Sequence, residues 1–568
     1  MLRETLGLMR ELPRLQEIAA VLIRHGLGEF VRRLGIAGVL ERAGRIVHWS
    51  EAKEAERLDP AQRMRRALEE LGPTFIKLGQ VLATRVDLFP PSWIAEFEKL
   101  HAAAPAVPFE TLLPELERSL GRSPFEVFAE IETRPYAAAS IAQVHRARLN
   151  DAGEGEPGTP VVLKIRRPGV REKIEADLRL LRRLAELVES EMPEIRRYRP
   201  VEIAAQFARS LEREVDFTSE QRNTERFAKN FEGHEHVLIP RVYPEYTSDA
   251  LLVQQHVVGI PATDTTSVDL AGLDRKLLAA RGVDLFLKMI LIDGFFHADP
   301  HPGNVFYLTD NRLVIIDFGM VGRLTPHRRA QVVDLLAGLA RMAEEPMLAV
   351  LHDWAGDAVL DEERLAADVN DLVFEYEGLP LKEIRIGNVI REFTAIIRAH
   401  SIVLPPDLSL MLKALVTLEG LGRQYDPDIH IVSHITPLVR RALAERYQPA
   451  VLLRRGGSAL REFIESVGTV PRDLARLLRE ARRGKARVEL DLKRLDSFGR
   501  QLDRTIDRAT VGILTASLVI GSAIVLTVRD GPEFFGIPVL PALGLLGYVL
   551  AFFNSLWIAY GIWRSGRE

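Results

Sequence analysis

The chain has 568 residues, too many for one hydrophobic core, so roughly three to four domains are expected. Its 27% charged and 47% hydrophobic residues argue against long disorder, and a net charge of −4 argues against a general nucleic-acid binder. The absence of cysteine excludes disulfides, cysteine–zinc sites and thiol nucleophiles, and is compatible with any redox compartment.

The start of the chain does not read as a secretory signal. Glu4, Glu11 and Glu17 interrupt it, and its longest apolar run, residues 18–23, is too short. Residues 1–120 carry Leu, Arg and Glu at helical spacing, broken by Pro90, Pro91, Pro105 and Pro108. Residues 121–258 bring strand-like runs, "VHRARL", "VVLKIRR", "VLIPRVY" and "LLVQQHV", around helical stretches at 170–192 and 200–231. A small sheet with one or two helices is the economical reading. Helices dominate residues 259–450 apart from "NVFYL" and "LVIIDF", and residues 325–450 read as a helical subdomain.

Within residues 451–508, "PRDLARLLREARRGKARVELDLKR" predicts a basic amphipathic helix. Its arginines either face water or meet anionic lipid head groups. Residues 510–528 and 534–563 are uncharged. Because about 20 apolar residues span a bilayer, residues 509–568 are expected to form a two-helix transmembrane hairpin. A buried helix pair is the alternative. Ser517 and Gly521, with Gly544 and Gly547, would let the helices approach closely. Arg500, Arg504 and Arg508 precede the first span and Arg564 and Arg567 follow the second, against Arg529 alone between them. The positive-inside rule then puts the large N-terminal portion in the cytoplasm.

Chemistry concentrates in a few places. Lys164 sits in the middle of "VVLKIRR", an apolar strand. A partly buried ammonium is costly unless paired, and a nucleotide phosphate plus a carboxylate would satisfy it. An edge-strand lysine is the plainer alternative. "LEREVDFTSEQRN" offers Glu214, Asp216 and Glu220 on one expected helix, with 216 and 220 one turn apart, either as partners or as a solvated acidic face. "YAAASIAQVHRARL" has small residues that let a backbone approach phosphates, although an alanine run also serves simple packing.

"FFHADPHPGNVFYLTDNRLVIIDFGM" places His297 and His301 four apart, but Pro300 and Pro302 would break a shared helix, and no third ligand stands at metal spacing. Phosphoryl transfer explains more. Asp299 would orient or deprotonate an acceptor hydroxyl, while Asn304 and Asp317, in "DFG", would ligate magnesium.

Lys164, Glu220, "HADPHPGN" and "DFG" follow the chain order of the protein-kinase-like set. "AAASIAQVH" stands where protein kinases carry a glycine-rich loop, "HAD" lacks the arginine of "HRD", no "APE" follows, and "KLGQ" lies upstream. The combination resembles the UbiB family of atypical kinases, also called the ADCK or AarF-type family, over roughly residues 65–345. The C-terminal hairpin resembles the bacterial membrane-anchored branch.

The resemblance implies an α+β, bilobal kinase-like fold. An N-terminal helical extension (1–120) would lie over the active site, followed by an N-lobe (121–258), a C-lobe with helical subdomain (259–450), a juxtamembrane region (451–508) and the hairpin. It implies ATP and Mg²⁺ as cofactors. Lys164 would contact the α/β phosphates and pair with Glu220, and Asp299 would be the catalytic base. Tyr136, Ala137, Ala138, Ala139, Ser140, Ile141, Ala142, Gln143 and Val144 would cover the nucleotide. Gln255, His256 and Val257 would form the adenine hinge through backbone groups, and Asn304 and Asp317 would hold magnesium. Lys77 and Gln80 would belong to a lid in which Lys77 approaches Glu214 and Asp216, excluding protein substrates.

The role implied is support of ubiquinone biosynthesis at the bacterial inner membrane, by ATP hydrolysis or transfer to a small lipid-like acceptor. The alternative is a nucleotide-sensing scaffold or lipid-extracting factor. Membrane lipids, quinone-biosynthesis enzymes or isoprenoid quinone precursors are the implied partners, with a homodimer left open.

Overall fold

A computed structural model of the chain describes residues 2–34, 58–100, 105–150, 158–341, 343–356, 360–376, 379 and 383–446. Toward the C-terminus it describes 515–525, 533–534, 537–538, 543 and 545–553. The chain separates into two compact units, Met1–Leu452 and Leu453–Glu568.

The larger unit opens with helices α1 (Leu2–Arg24), α2 (Gly28–Arg33), α3 (Pro60–Leu71), α4 (Pro73–Leu82), α5 (Pro91–Phe97) and α6 (Phe109–Leu120). Pro60, Pro73 and Pro91 stand at the first helical position, where the missing N–H has no intrahelical acceptor to lose. Gly79 of "KLGQ" lets α4 close onto the extension: a Cβ there would overlap the Leu100 side chain. Gln80 serves the same packing, its side-chain amide donating to the Leu100 carbonyl (2.8 Å).

Next comes an antiparallel sheet of β1 (Phe128–Ile131), β2 (Ala137–Ala138), β3 (Ala142–Leu149), β4 (Pro160–Arg166) and β6 (Leu251–Gln255), in the order β1–β3–β4–β6 with β2 on β3. Alternation separates its two faces. Ala147, Leu149, Leu163, Ile165 and Val253 pack against Phe109, Leu112 and Leu116 of α6. Ala142 and Leu252 face the other way, onto Phe217. Lys164 pairs across the ladder with Val144 and Leu252 and shares this second face.

Between β4 and β6 run α7 (Val170–Glu191), α8 (Pro200–Val215), α9 (Phe217–Asn230) and a short strand β5 (Val237–Leu238). The helical stretch read as continuous over 200–231 is two helices. Asp216 leaves the helical conformation and caps α9, accepting from the Thr218 N–H (3.0 Å) and hydroxyl (2.7 Å). Glu214 and Glu220 therefore stand on different helices, and Asp216 shares a helical face with neither. "VLIPRVY" also departs from the sheet expectation: β5 pairs in parallel with a later strand, Leu313–Ile315, in a second sheet.

That sheet comprises β5, β10 (Leu313–Ile315), β9 (Val305–Tyr307) and β7 (Ile260–Pro261), and a ribbon joins β8 (Phe295–His297) to β11 (Val321–Arg323). Helices α10 (Arg275–Lys288), α11 (Pro326–Arg341), α12 (Glu344–Ala355), α13 (Glu362–Tyr376), α14 (Ile386–Ala399), α15 (Pro406–Tyr425) and α16 (Ile431–Arg446) build the largest apolar core around them. The extension is riveted to this part by a buried pair. Arg85 donates twice to Asp87 (2.9 and 2.6 Å), and Asp87 also accepts from the Leu404 N–H (3.0 Å) just ahead of α15.

In the second unit the helical segments 515–525 and 545–553 meet where Gly547 faces Leu518 and Ser522. Among the described residues a Cβ at Gly521 would touch nothing. Gly544 lies outside the described residues, as do the amphipathic stretch 471–494 and most of the hairpin read from the sequence. Among the described residues no helix is long and apolar enough to cross a membrane.

Two outcomes follow from the packing. Asp87→Ala strands the buried Arg85 guanidinium and is expected to cost about 3–5 kcal/mol in chemical denaturation; a loss below about 1 kcal/mol would contradict the rivet. His145 is fully buried, donating from Nδ1 to the Glu132 carbonyl (2.8 Å) and accepting at Nε2 from Gln143 (3.3 Å). Burial holds it below its ordinary value, against the pull of that carbonyl. The unfolded chain then takes up this proton first as pH falls below about 6.5, so the stability His145 contributes is present above that pH and lost beneath it. His145→Gln should reduce the drop in denaturation midpoint between pH 7.5 and 5.5; an unchanged drop would refute the assignment.

Candidate functional site

The site begins with Lys164. Its ammonium bonds both carboxylate oxygens of Glu220 (3.0 and 2.8 Å) and lies 3.4 Å from Asp317 Oδ2 and 5.6 Å from the Phe217 ring centroid. Side-chain exposure is 23% for Lys164 and 5% for Glu220, so the pair is held away from bulk water, whereas Asp317, at 41%, opens to the cleft. Burial works against the Lys164 charge, but Asp317 and Glu220 more than offset it and hold the ammonium above the usual lysine value. Burial also pushes Glu220 up to about 7, Asp317 adding to the push and Lys164 resisting it. Asp317 is desolvated as well, yet Lys164 and the Gly319 N–H hold it well below the usual carboxylate range.

Asp317 is folded back on its own turn. Gly319 N–H donates to its Oδ1 (2.8 Å), and a Cβ at Gly319 would press on that oxygen. Phe318 is buried against Phe227 of α9 (4.7 Å between ring centroids) and His297 (5.8 Å), and Asn223 of α9 donates to the Phe318 carbonyl (2.9 Å). One helix thus carries the partner of Lys164 and the two side chains that seat "DFG".

The loop after β8 is tied by its backbone. Asp299 N–H donates to His297 Nδ1 (3.1 Å), and the Asp299 carbonyl accepts from the His301 N–H (2.8 Å) and from Asn304 Nδ2 (3.3 Å). Spending its NH₂ there leaves the Asn304 side-chain oxygen as an acceptor. The Asn304 carbonyl takes the Ile316 N–H (3.1 Å), which sets Asn304 beside the strand end bearing Asp317. The carboxylate of Asp299 is flanked by two nitrogens, each 3.9 Å away: His301 Nε2 and Lys413 Nζ of α15.

Above Lys164, the alanine-rich segment forms a closed hairpin. Tyr136 N–H donates to the Val144 carbonyl (2.8 Å), and Ala139 N–H to that of Ala142 (2.9 Å). Ala137 and Ala138 form β2, while Ala142, Gln143 and Val144 open β3. Tyr136 is half exposed beneath the Arg146 guanidinium. Gln143 points away from Lys164, clasping the backbone of Val107. Ile141 is buried with Ile174, Phe207 and Leu211, against Leu78 and Val81 of α4. Among the described residues the buried Ser140 hydroxyl has no hydrogen-bond partner. Buried hydroxyls are rarely left so, and an orphaned donor at the tip of this loop fits a phosphate oxygen.

Lys77 of α4 is ion-paired with Glu214 at the end of α8, not with Asp216, whose carboxylate is committed to capping α9. Burial opposes the Lys77 charge, but Glu214 and then Asp317 hold it above the ordinary value. At the junction of the two sheets, Gln255 N–H donates to Arg241 O (2.7 Å) and His256 N–H to Pro160 O (3.0 Å). Those donors are spent within the fold, so the backbone N–H groups of Gln255 and His256 are already engaged.

Lys164, Glu220 and Asp317 are therefore in contact, Asn304 and Asp299 lie on the adjoining loop, and Gln80, Gln143 and Asp216 serve packing or capping. Lys413 was missed from the sequence. The usable signal was a lysine amid "LMLKALV", the same anomaly that exposes Lys164.

Family models match three parts of the chain. The ABC1 atypical kinase-like domain covers residues 99–351, the UbiB helical domain 369–430, and the ABC1/UbiB kinase-like C-terminal domain 493–564. A probable protein kinase UbiB of Aliivibrio fischeri (strain MJ11) is 34% identical over 456 residues, 78% of this chain and 81% of that protein. A probable protein kinase UbiB of Xanthomonas campestris pv. campestris (strain B100) is 32% identical over 539 residues, 93% and 96% of the two chains. The solved complex of Rv3197 with erythromycin from Mycobacterium tuberculosis aligns with a TM-score of 0.45 at 23% identity, over 68% of this chain and 97% of that one. The chain belongs to the ABC1/UbiB family of atypical kinase-like proteins.

Proposed function

We propose that this protein is a membrane-anchored ATP-dependent enzyme that binds MgATP and serves the biosynthesis of ubiquinone. It acts on ATP and on water or a small lipid-like acceptor rather than on protein. The observation that carries the reading is the Lys164–Glu220 pair reaching Asp317, beside the orphaned Ser140 hydroxyl at the tip of the alanine-rich hairpin. These residues fit a magnesium-bound triphosphate. Asn304 and Asp317 would hold the ion, which supplies charge neutralisation on the phosphates when bound. Lys164 meets phosphate charge while Glu220 keeps the ammonium in place. Ser140 and the alanine backbone close over the phosphates. Asp299 accepts the proton of the acceptor hydroxyl.

Two features favour a small acceptor. Leu78 and Val81 of α4 pack against the apolar cluster that buries Ile141 at the loop tip, and Lys77 ties the same helix to Glu214. A polypeptide would have to displace both contacts. The exposed leucines and phenylalanines of segments 515–525 and 545–553 suit a lipid environment, which supports the membrane anchor at the bacterial inner membrane. The Lys77–Glu214 closure over an assembled site also favours a second reading, a nucleotide-sensing scaffold or lipid-extracting factor with little turnover.

Steady-state ATP hydrolysis on anionic liposomes separates the two. Asp299→Asn is expected to lower turnover about a hundredfold or more while leaving MgATP binding in place. Absent turnover in wild type and variant alike, with binding retained, would select the scaffold. Lys77→Ala frees α4 from Glu214 and is expected to raise turnover about threefold or more. Wild-type turnover and affinity in that variant would remove the lid.

A further inference from the structure

The backbone of Asp299 is fixed by three hydrogen bonds, but no donor lies within hydrogen-bonding distance of its carboxylate oxygens among the described residues. The two oxygens are instead flanked symmetrically: His301 Nε2 is 3.9 Å from Oδ2 and Lys413 Nζ is 3.9 Å from Oδ1. His301 belongs to the same loop. Lys413 comes from α15, beyond residues 99–351 and within the helical domain matched over 369–430. Its side chain is only 17% exposed, and among the described residues its ammonium has no other ion pair within 4.0 Å. The other carboxylate that feels it is Glu98, at the end of α5 in the N-terminal extension.

A lysine this enclosed is expensive to keep without a task. Its helix is also held firmly. Ahead of α15 the Leu404 N–H, and within its first turn the Ser409 hydroxyl (3.5 Å), bond Asp87; at the other end the Tyr425 hydroxyl donates to the Ala262 carbonyl (2.9 Å). The ammonium therefore approaches Asp299 from a fixed origin.

We propose that Lys413 is a positioning residue of the active site, a cation supplied by the helical domain that steadies the Asp299 carboxylate and aims it at the acceptor. The proposal rests on Asp299 being the proton acceptor. In the step it serves, the acceptor oxygen bonds to the γ-phosphorus, its proton passes to the Asp299 carboxylate, and the bridging P–O bond breaks with its electron pair leaving on ADP. Lys413 exchanges no proton.

The test uses the full chain on liposomes, measuring steady-state ATP hydrolysis and MgATP affinity for wild type, K413M, K413R, D299N and the K413M/D299N double variant. K413M is expected to lose turnover about thirtyfold with affinity within about twofold of wild type. K413R, which keeps the charge, should recover most of the loss, and adding K413M to D299N should cost nothing more. K413Q gives the same readout if methionine is not tolerated in the fold. The proposal is overturned by wild-type turnover in K413M and K413Q, by a loss carried in affinity, or by a full further loss on the D299N background. Equal rates in wild type and D299N would sink the Asp299 assignment and this proposal together. A normal K413M beside an impaired D299N sinks this proposal alone.

Discussion

A buried ammonium must be answered by a carboxylate, and the one that answers Lys164 comes from a helix distant in the chain. That requirement fixes where α9 can lie. With Glu220 pressed to β4, Phe217 packs under the sheet, Asp216 turns the chain out of α8, and Phe227 and Asn223 reach Phe318 on the same helix. The inward placement of Asp317 is a packing consequence of this pair, and charge then consolidates it, since Lys164 lowers the carboxylate it approaches.

The extension is built into the same electrostatics. Lys77 adds a second ammonium near Asp317, and Glu214 adds a further carboxylate beside it. The helix bearing Lys77 lies close because Gly79 carries no side chain, and it closes on the alanine loop through Ile141. Alanine in place of glycine in that loop makes it stiffer, because alanine resists positive φ. Closure is then stabilised from outside, by α4, α7 and α8, rather than by the loop itself.

How much of this was legible depended on the kind of constraint. Lys164 alone left an edge-strand lysine as the plainer alternative, whereas Asp299, Asn304 and Asp317 stood out because "HADPHPGN" and "DFG" follow one another at the spacing phosphoryl transfer needs. The break at Asp216 was equally present as "DFTS", an acid followed by the N–H donors it caps, but helical periodicity on both sides concealed it. Gln80, expected in the lid, and Gln143, expected in the loop over the nucleotide, both brace backbone segments, because an amide side chain satisfies buried carbonyls as readily as ligands. Lys413 showed in the sequence only as a lysine amid "LMLKALV", and spacing arguments do not reach its long-range contact with Asp299 from α15.

The Asp87 rivet bears on how the protein can be divided. A fragment cut to residues 99–351 would discard Asp87, α4 and the helix of Lys413 in one stroke. Leu404 would go with it, and the cluster around Ile141 would meet water where Leu78 and Val81 had been. The compact unit runs from the first described helix to residue 446, so the contacts that hold Asp87, Ile141 and Lys413 in place belong to that whole body rather than to its kinase-like centre.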